Sequence, residues 1–180
     1  LYTLTKLDLG NNHLFGLPES FNNLSSLKNL DISDNYLIDL PENIGNLLNL
    51  TNLDLSRNQL TDLSESLGNL SNLKSLYLQD NCLTHLPENI GNLLNLTWLD
   101  LSNNQLTSLP RTIINLTNLR VLRLDRNFLT DLSMLQGLSQ LKQVIFLNID
   151  LPHRYWTKFS EWEPEWLLDE GNTEIRRILI

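Results

Sequence analysis

The chain contains no alanine, two valines, one cysteine and one methionine. With 41% apolar residues and no alanine, leucine must fill most of the core, which points to one repeated packing template rather than two unrelated cores. A single cysteine, Cys82, excludes an intrachain disulfide. Secreted repeat proteins often staple their ends with disulfides, so this absence leans toward a reducing compartment. No apolar run reaches the roughly 18 residues that span a bilayer, and no signal peptide is visible. Basic residues are also few: 13 Lys and Arg against 21 Asp and Glu leave a net charge of −8. That balance disfavours nucleic acid, whose phosphate backbone is gripped by clustered Lys and Arg. The first residue is Leu1, inside a repeat-like pattern and without a Met, so the chain is expected to be part of a longer protein.

Clusters that carry chemistry are equally sparse. Cys82 and His85 lie three residues apart, and the other histidines are His13 and His153. A thiolate nucleophile needs a base within hydrogen-bond reach and a third group to orient it. Both Cys82 and His85 occupy positions that vary from repeat to repeat, so the reading favours no enzyme and no catalytic residue. No Cys and His cluster has metal-ligand spacing. Gly45, Gly68 and Gly91 recur at one position of the repeat and do not form a phosphate-binding loop. Neither metal nor cofactor is expected.

What the sequence does contain is a period. Leu-Pro-Glu-Asn-Ile-Gly-Asn-Leu-Leu-Asn-Leu occurs letter for letter at 40–50 and 86–96, with a diverged copy midway at 63–73. The spacing is twice 23 residues, the signature of a stacked repeat. Leu-x-x-Leu-x-Leu-x-x-Asn-x-Leu begins at Leu4, Leu27, Leu50, Leu73, Leu96 and Leu119. Within each unit apolar and polar residues alternate, as in Leu53 and Leu55 or Leu99 and Leu101, which predicts a short strand with one buried face. Units running in the same direction stack their strands in parallel.

The ninth position is Asn12, Asn35, Asn58, Asn81, Asn104 and Asn127. A buried amide persists only when hydrogen-bonded, so this column is expected to tie the turn of each coil to its neighbour. After the strand, Pro18, Pro41, Pro87 and Pro110 fix φ where the chain turns away, with Ser64 and Ser133 at the equivalent places. Apolar residues three apart, such as Ile44 and Leu47 or Ile90 and Leu93, fit one helical turn with its apolar side inward. Closely spaced strands then form the concave side of an arc, and the helical turns form the convex side. Five Asn-X-Ser/Thr triplets begin at Asn23, Asn49, Asn69, Asn95 and Asn115. They would be glycosylation acceptors in a secreted protein. A template that happens to spell the triplet explains them more simply.

These units resemble the leucine-rich repeat family from about Leu4 to Leu151. The 23-residue unit with Leu-Pro-x-x-Ile-x-x-Leu looks like the bacterial and intracellular type, as in Ras-group-related scaffolds, Roco proteins and secreted effectors of intracellular bacteria. It differs from the plant receptor type, which carries Ile-Pro after a Gly. The resemblance implies an α/β fold, a curved horseshoe solenoid with a parallel concave sheet, short helical turns on its convex side and a C-terminal cap. It also implies a protein partner bound on the concave face, and no catalysis. A host protein and a small GTPase are both compatible partners, and a membrane is not expected. The location is then cytoplasmic, or a host cell for a secreted effector.

Two segments follow: repeats over 1–151, with six regular units and a degenerate one from Leu141, and an aromatic-rich stretch over 152–180. The last unit places Ile149 where the Asn belongs, as a terminal repeat tolerates. Tyr155, Trp156, Phe159, Trp162 and Trp166 in the tail are either a binding platform or a cap over the last coil. The cap is favoured, because stacked repeats need covered ends.

Strand alternation sends the third, fifth and seventh residues of each unit into the concavity. The first three units carry small or acidic residues there, and the later ones do not. A partner-binding patch is therefore assigned to Tyr77, Gln79, Trp98, Asp100, Arg123 and Asp125, with Arg126 at its rim and Ile145 and Leu147 at its far end. Exposed Trp, Tyr and Arg are enriched at interface hot spots. Neighbouring coils carry Asp or Asn at these positions, so stability is expected not to require Tyr77, Trp98 or Arg123. The column of Asp8, Asp31, Asp54 and Asp100 is read mainly as a solvated consensus. An adaptor or bacterial effector and the substrate-recognition arm of a larger GTPase or ubiquitin ligase both fit this reading.

Overall fold

A computed structural model describes residues 3–138 and the backbone of 143–145. Leu147, the side chain of Ile145 and the proposed cap at 152–180 lie outside the described residues. Among the described residues seven three-residue strands form one parallel sheet in chain order: β1 (Lys6–Asp8), β2 (Asn29–Asp31), β3 (Asn52–Asp54), β4 (Ser75–Tyr77), β5 (Trp98–Asp100), β6 (Val121–Arg123) and β7 (Gln143–Ile145). Register follows the period. Leu30 pairs with Leu53 and Leu53 with Leu76, each 23 residues on, whereas Leu122 pairs with Val144 after 22 because the sixth unit is one residue short.

The strands are short because the chain turns sharply after the seventh position. Asn11, Asp34, Arg57, Asp80, Asn103 and Arg126 all adopt left-handed backbone conformations, with φ between 52° and 58°. Asn and Asp reach that region with little strain. At Arg57 and Arg126 the longer side chain makes it costlier, by about 1 kcal/mol each.

The return segments are 3-10 turns rather than α-helix: Glu19–Asn23, Ile44–Asn46, Glu65–Asn69, Glu88–Asn92, Arg111–Asn115 and Ser133–Gly137. Each turn is five residues or fewer and closes tightly, as where the Leu24, Leu93 and Leu116 N–H groups bond to the Phe21, Ile90 and Ile113 carbonyls. Pro18, Pro87 and Pro110 stand immediately before their turns in extended conformation, and Ser64 replaces them by accepting the Ser66 backbone N–H at 3.1 Å. Ser133 departs from the pattern. It opens its turn instead of preceding it, and donates its own N–H to Asp131 Oδ1 at 2.8 Å.

Between sheet and turns runs one leucine core. In the third unit Leu50, Leu53, Leu55, Leu60, Leu67 and Leu70 are all fully buried. Each such side chain contributes about 1.5–3 kcal/mol of burial free energy. The glycine column sets how closely the coils stack on the convex side. A Cβ on Gly45, Gly68 or Gly91 would fall 2.0, 2.3 or 2.4 Å from a carbonyl oxygen of the next coil. At the equivalent place in the fifth unit stands Ile114, and the next coil answers with Gly137, whose added Cβ would lie 3.2 Å from the Ile114 methyl.

The asparagine column forms the expected ladder. Asn81 donates to Leu78 and Gln79 carbonyls of its own coil and to Leu55 of the preceding one, while its Oδ1 accepts the Leu60 N–H at 3.0 Å. Asn35, Asn58, Asn104 and Asn127 repeat the pattern. Asn12 is the exception: it is exposed and its side chain bonds only to Leu9 and Gly10 of its own coil, since no described coil stands before it. A second ladder crosses the other end of the strands. Asn49, Asn72, Asn95 and Asn118 each donate Nδ2 to a carbonyl 24 residues back, at 2.7–2.8 Å. Thus the Asn-X-Ser/Thr triplets fall on two repeat positions, and Asn49 and Asn95 have a structural task.

Candidate functional site

Parallel register lines up the concave side chains in rows across the strands. The fifth positions run Asp8, Asp31, Asp54, Tyr77, Asp100, Arg123, each the register partner of the next. Over the first three strands the row is uniform. Asp31 Oδ1 accepts both the backbone N–H and the hydroxyl of Ser33, at 2.9 and 2.6 Å, and Asp54 does the same with Ser56. These carboxylates pin the turn that leaves the strand, which corrects their reading as merely solvated consensus. Beside them a depression of about 360 Å³ is lined by Lys6, Asn29, Asp31, Asn52 and Asp54 and closed at one end by Tyr77.

From β4 onward the surface changes. The Tyr77 and Trp98 rings meet at a centroid distance of 6.2 Å, tilted by 41°. Arg123 reaches Asp100 at 3.5 Å and Asp125 at 3.6 Å, with 36% of its own side chain exposed. Asp100 also accepts from Ser102 N–H and Oγ–H, at 3.0 and 2.6 Å. The structure therefore brings Tyr77, Trp98, Asp100, Arg123 and Asp125 together on β4 to β6, with Gln79 half-buried in the seventh-position row. Arg126 stands exposed at the rim. Ile145 continues the row as the register partner of Arg123.

Two expectations need correction. Asp100 and Asp125 were read as open to a partner, but they are only 3% and 8% exposed. Asp100 lies between Tyr77 and Arg123 on the adjoining strands, where the first units place Asp. Arg123 is consequently not free of structural duty, because it faces a buried carboxylate whose charge would otherwise be poorly compensated.

Burial leaves this layer short of partners. Among the described residues, five buried side-chain polar atoms have no hydrogen bond, and four are here: Gln79 Oε1, Trp98 Nε1, Arg123 Nε and Asp125 Oδ1. An unmade buried hydrogen bond costs about 1–3 kcal/mol, so their concentration in one patch needs a reason. Burial also raises the Asp125 carboxyl above its ordinary range, with Arg123 pulling against that rise.

The sequence reading missed a second surface. His13, Phe15 and Tyr36 cluster with ring centroids 5.4–5.6 Å apart, and Phe15, Tyr36 and Ile38 are exposed. In the third and fourth units those columns hold Gln59, Thr61, Cys82 and Thr84, so comparing columns would have found the cluster. Cys82 and His85 do not make a catalytic arrangement, since His85 Nε2 pairs with Asp62 at 3.2 Å and Nδ1 lies 3.1 Å from Thr84 Oγ1. Among the described residues no three His, Cys, Asp or Glu side chains gather to hold a metal ion, and no helix is long and apolar enough to cross a membrane.

Comparison with known proteins agrees with this architecture. The family described as leucine-rich repeat region matches residues 55–153, and that described as leucine rich repeat matches 2–60. A leucine-rich repeat protein of Leptospira interrogans superposes with a TM-score of 0.85 at 33% identity, over 90% of this chain and 42% of that one. The ectodomain of the plant membrane receptor kinase GASSHO1/SCHENGEN3 from Arabidopsis thaliana, in complex with CASPARIAN STRIP INTEGRITY FACTOR 2, gives 0.75 at 36% identity, over 84% and 19%. The leucine-rich repeat domain of the type III effector XopL gives 0.74 at 29% identity, over 79% and 52%. The chain thus spans about half or less of each of these structures. No curated protein matches it. Period, register, asparagine ladder and family matches converge: the chain belongs to the leucine-rich repeat family.

Proposed function

We propose that this chain is a protein-interaction module that holds its partner on the concave sheet, anchored by Tyr77, Trp98 and Arg123. The observation that carries the reading is the concentration of unpartnered buried polar atoms in one half-open layer of aromatic and charged side chains. Interface hot spots are built from the same residue types, and a few of them supply most of the binding free energy. The chain performs no reaction in this reading. Its setting is an adaptor or an effector acting in cytoplasm, its own or a host's, and the likeness to a type III effector domain supports the latter.

Reversion to the letters of neighbouring coils tests it. Tyr77→Asp with Trp98→Asn installs residues that β2 and β3 already carry at those positions. The expected result is loss of a captured protein partner with the melting temperature unchanged, and full capture by the variant would refute the patch. A second reading, the recognition arm of a larger GTPase, ubiquitin ligase or receptor, is favoured by the small share of the neighbouring structures that the chain spans. The full reading frame decides between them.

A further inference from the structure

The geometry points to the chemical class of the partner: an extended, positively charged peptide segment laid across the strands from Arg123 toward Asp31. This deepens the preceding reading and rests on it.

The open valences select the ligand. Trp98 Nε1 and Arg123 Nε are donors without acceptors, and Gln79 Oε1 and Asp125 Oδ1 are acceptors without donors. The Arg123 guanidinium makes no hydrogen bond to any described group, and its two ion pairs, at 3.5 and 3.6 Å, are longer than good charge-assisted bonds. All four atoms are shut beneath their neighbours in the free protein, so the partner must turn the Trp98 and Arg123 side chains to reach them. Doing so gives partners to groups that no other side chain or backbone group satisfies.

A carboxylate or phosphate is a poor match for the donors, because Asp100 and Asp125 already flank the Arg123 guanidinium. A neutral carbonyl is a good match. Helices have already committed their carbonyls internally, whereas an extended segment leaves its own free. For the acceptors the complementary group is a Lys or Arg side chain. The same preference continues past Tyr77, where the depression of about 360 Å³ is bordered by Asp31 and Asp54. Each of these uses Oδ1 to hold a serine, while its Oδ2 carries no hydrogen bond or ion pair. Main-chain carbonyls therefore lie on Trp98 and Arg123, and cationic side chains lie toward Asp125 and toward Asp54 and Asp31.

Two synthetic probes test this on the whole chain: acetyl-Pro-Lys-Pro-Arg-Pro-Lys-Pro-amide, extended and basic, and the same peptide with Glu at every charged position. Binding is read by titration calorimetry and by the indole N–H resonance of Trp98, assigned with Trp98→Phe. The basic peptide is expected to shift that resonance, to bind at least tenfold more tightly than its acidic counterpart, and to lose about tenfold with Asp54→Asn combined with Asp125→Asn. Equal or tighter binding of the acidic peptide, or a Trp98 resonance unmoved by the basic one, overturns the inference. If neither peptide binds while Tyr77→Asp with Trp98→Asn still abolishes partner capture, the peptide chemistry is wrong and the patch stands. If that double variant captures the partner fully, the patch itself falls.

Discussion

Arg123 stands 3.5 Å from the carboxylate of Asp100, its register partner on the adjoining strand, and Asp100 is almost wholly buried. A buried charge on an otherwise open sheet has to be held by its neighbours, so one side chain serves both the fold and the binding surface.

The first prediction follows from that pairing. Arg123→Ala should destabilise the chain by about 1–2 kcal/mol at neutral pH, because it leaves Asp100 with Ser102 as its remaining partner. Combined with Asp100→Asn, the loss should be less than the sum of the two, with a coupling near 1 kcal/mol in urea unfolding. Strict additivity would show that the pair contributes nothing.

Asp125 gives a pH test. Its carboxyl is raised above 3.8, chiefly by burial and further by Asp100, against the lowering pull of Arg123, a backbone N–H and Arg126. A raised value means the folded state holds the proton more tightly than the unfolded one. The associated stability is fully present below 3.8 and is lost as pH rises through the folded value. Asp125→Asn should therefore stabilise the chain little near pH 3 and increasingly toward neutrality. A difference in melting temperature that stays constant with pH would contradict this.

Position within the ladder should decide the effect of losing an asparagine. Asn81→Ala removes the acceptor of Leu60 N–H and the donor to Leu55 carbonyl, both buried, at about 2–4 kcal/mol. Asn12→Ala, with bonds only inside its own exposed turn, should cost below about 1 kcal/mol. Urea midpoints with unchanged slopes would measure the contrast.

Coil spacing predicts a similar contrast between glycines. In Gly68→Ala the methyl meets Asn89 O at 2.3 Å and Asn89 Cβ at 2.7 Å, so two coils must separate, at about 2–3 kcal/mol. Gly16→Ala meets nothing within 4 Å and should be neutral or slightly stabilising, as calorimetry would show.

Much of this was legible in the residues. The 23-residue period fixes strand register, and alternation correctly placed Tyr77, Trp98 and Arg123 on one face, because both depend on backbone geometry alone. Asp100 was misjudged because its burial depends on side chains one strand away on each side, and a single-unit template says nothing about neighbours that differ. Gly68 was recognised as a repeated position but not as a contact, since the chain it touches lies 21 residues on, at Asn89. The second ladder stands as a column at Asn49, Asn72, Asn95 and Asn118, but the glycosylation triplets cut across it, taking in Asn49 and Asn95 and leaving out Asn72 and Asn118.

The most direct test of the central claim is Trp98→Phe, which keeps a ring against Tyr77 and removes the unpartnered indole N–H with the five-membered ring that carries it. If the concave patch is held in a partly unsatisfied state for the sake of binding, the variant should melt at the same temperature or up to a few degrees higher, since an unmet buried donor has been removed. Its affinity for the protein partner, measured on the same sample, should fall about tenfold. A lower melting temperature with affinity unchanged would mean that Trp98 belongs to the fold and not to the binding surface.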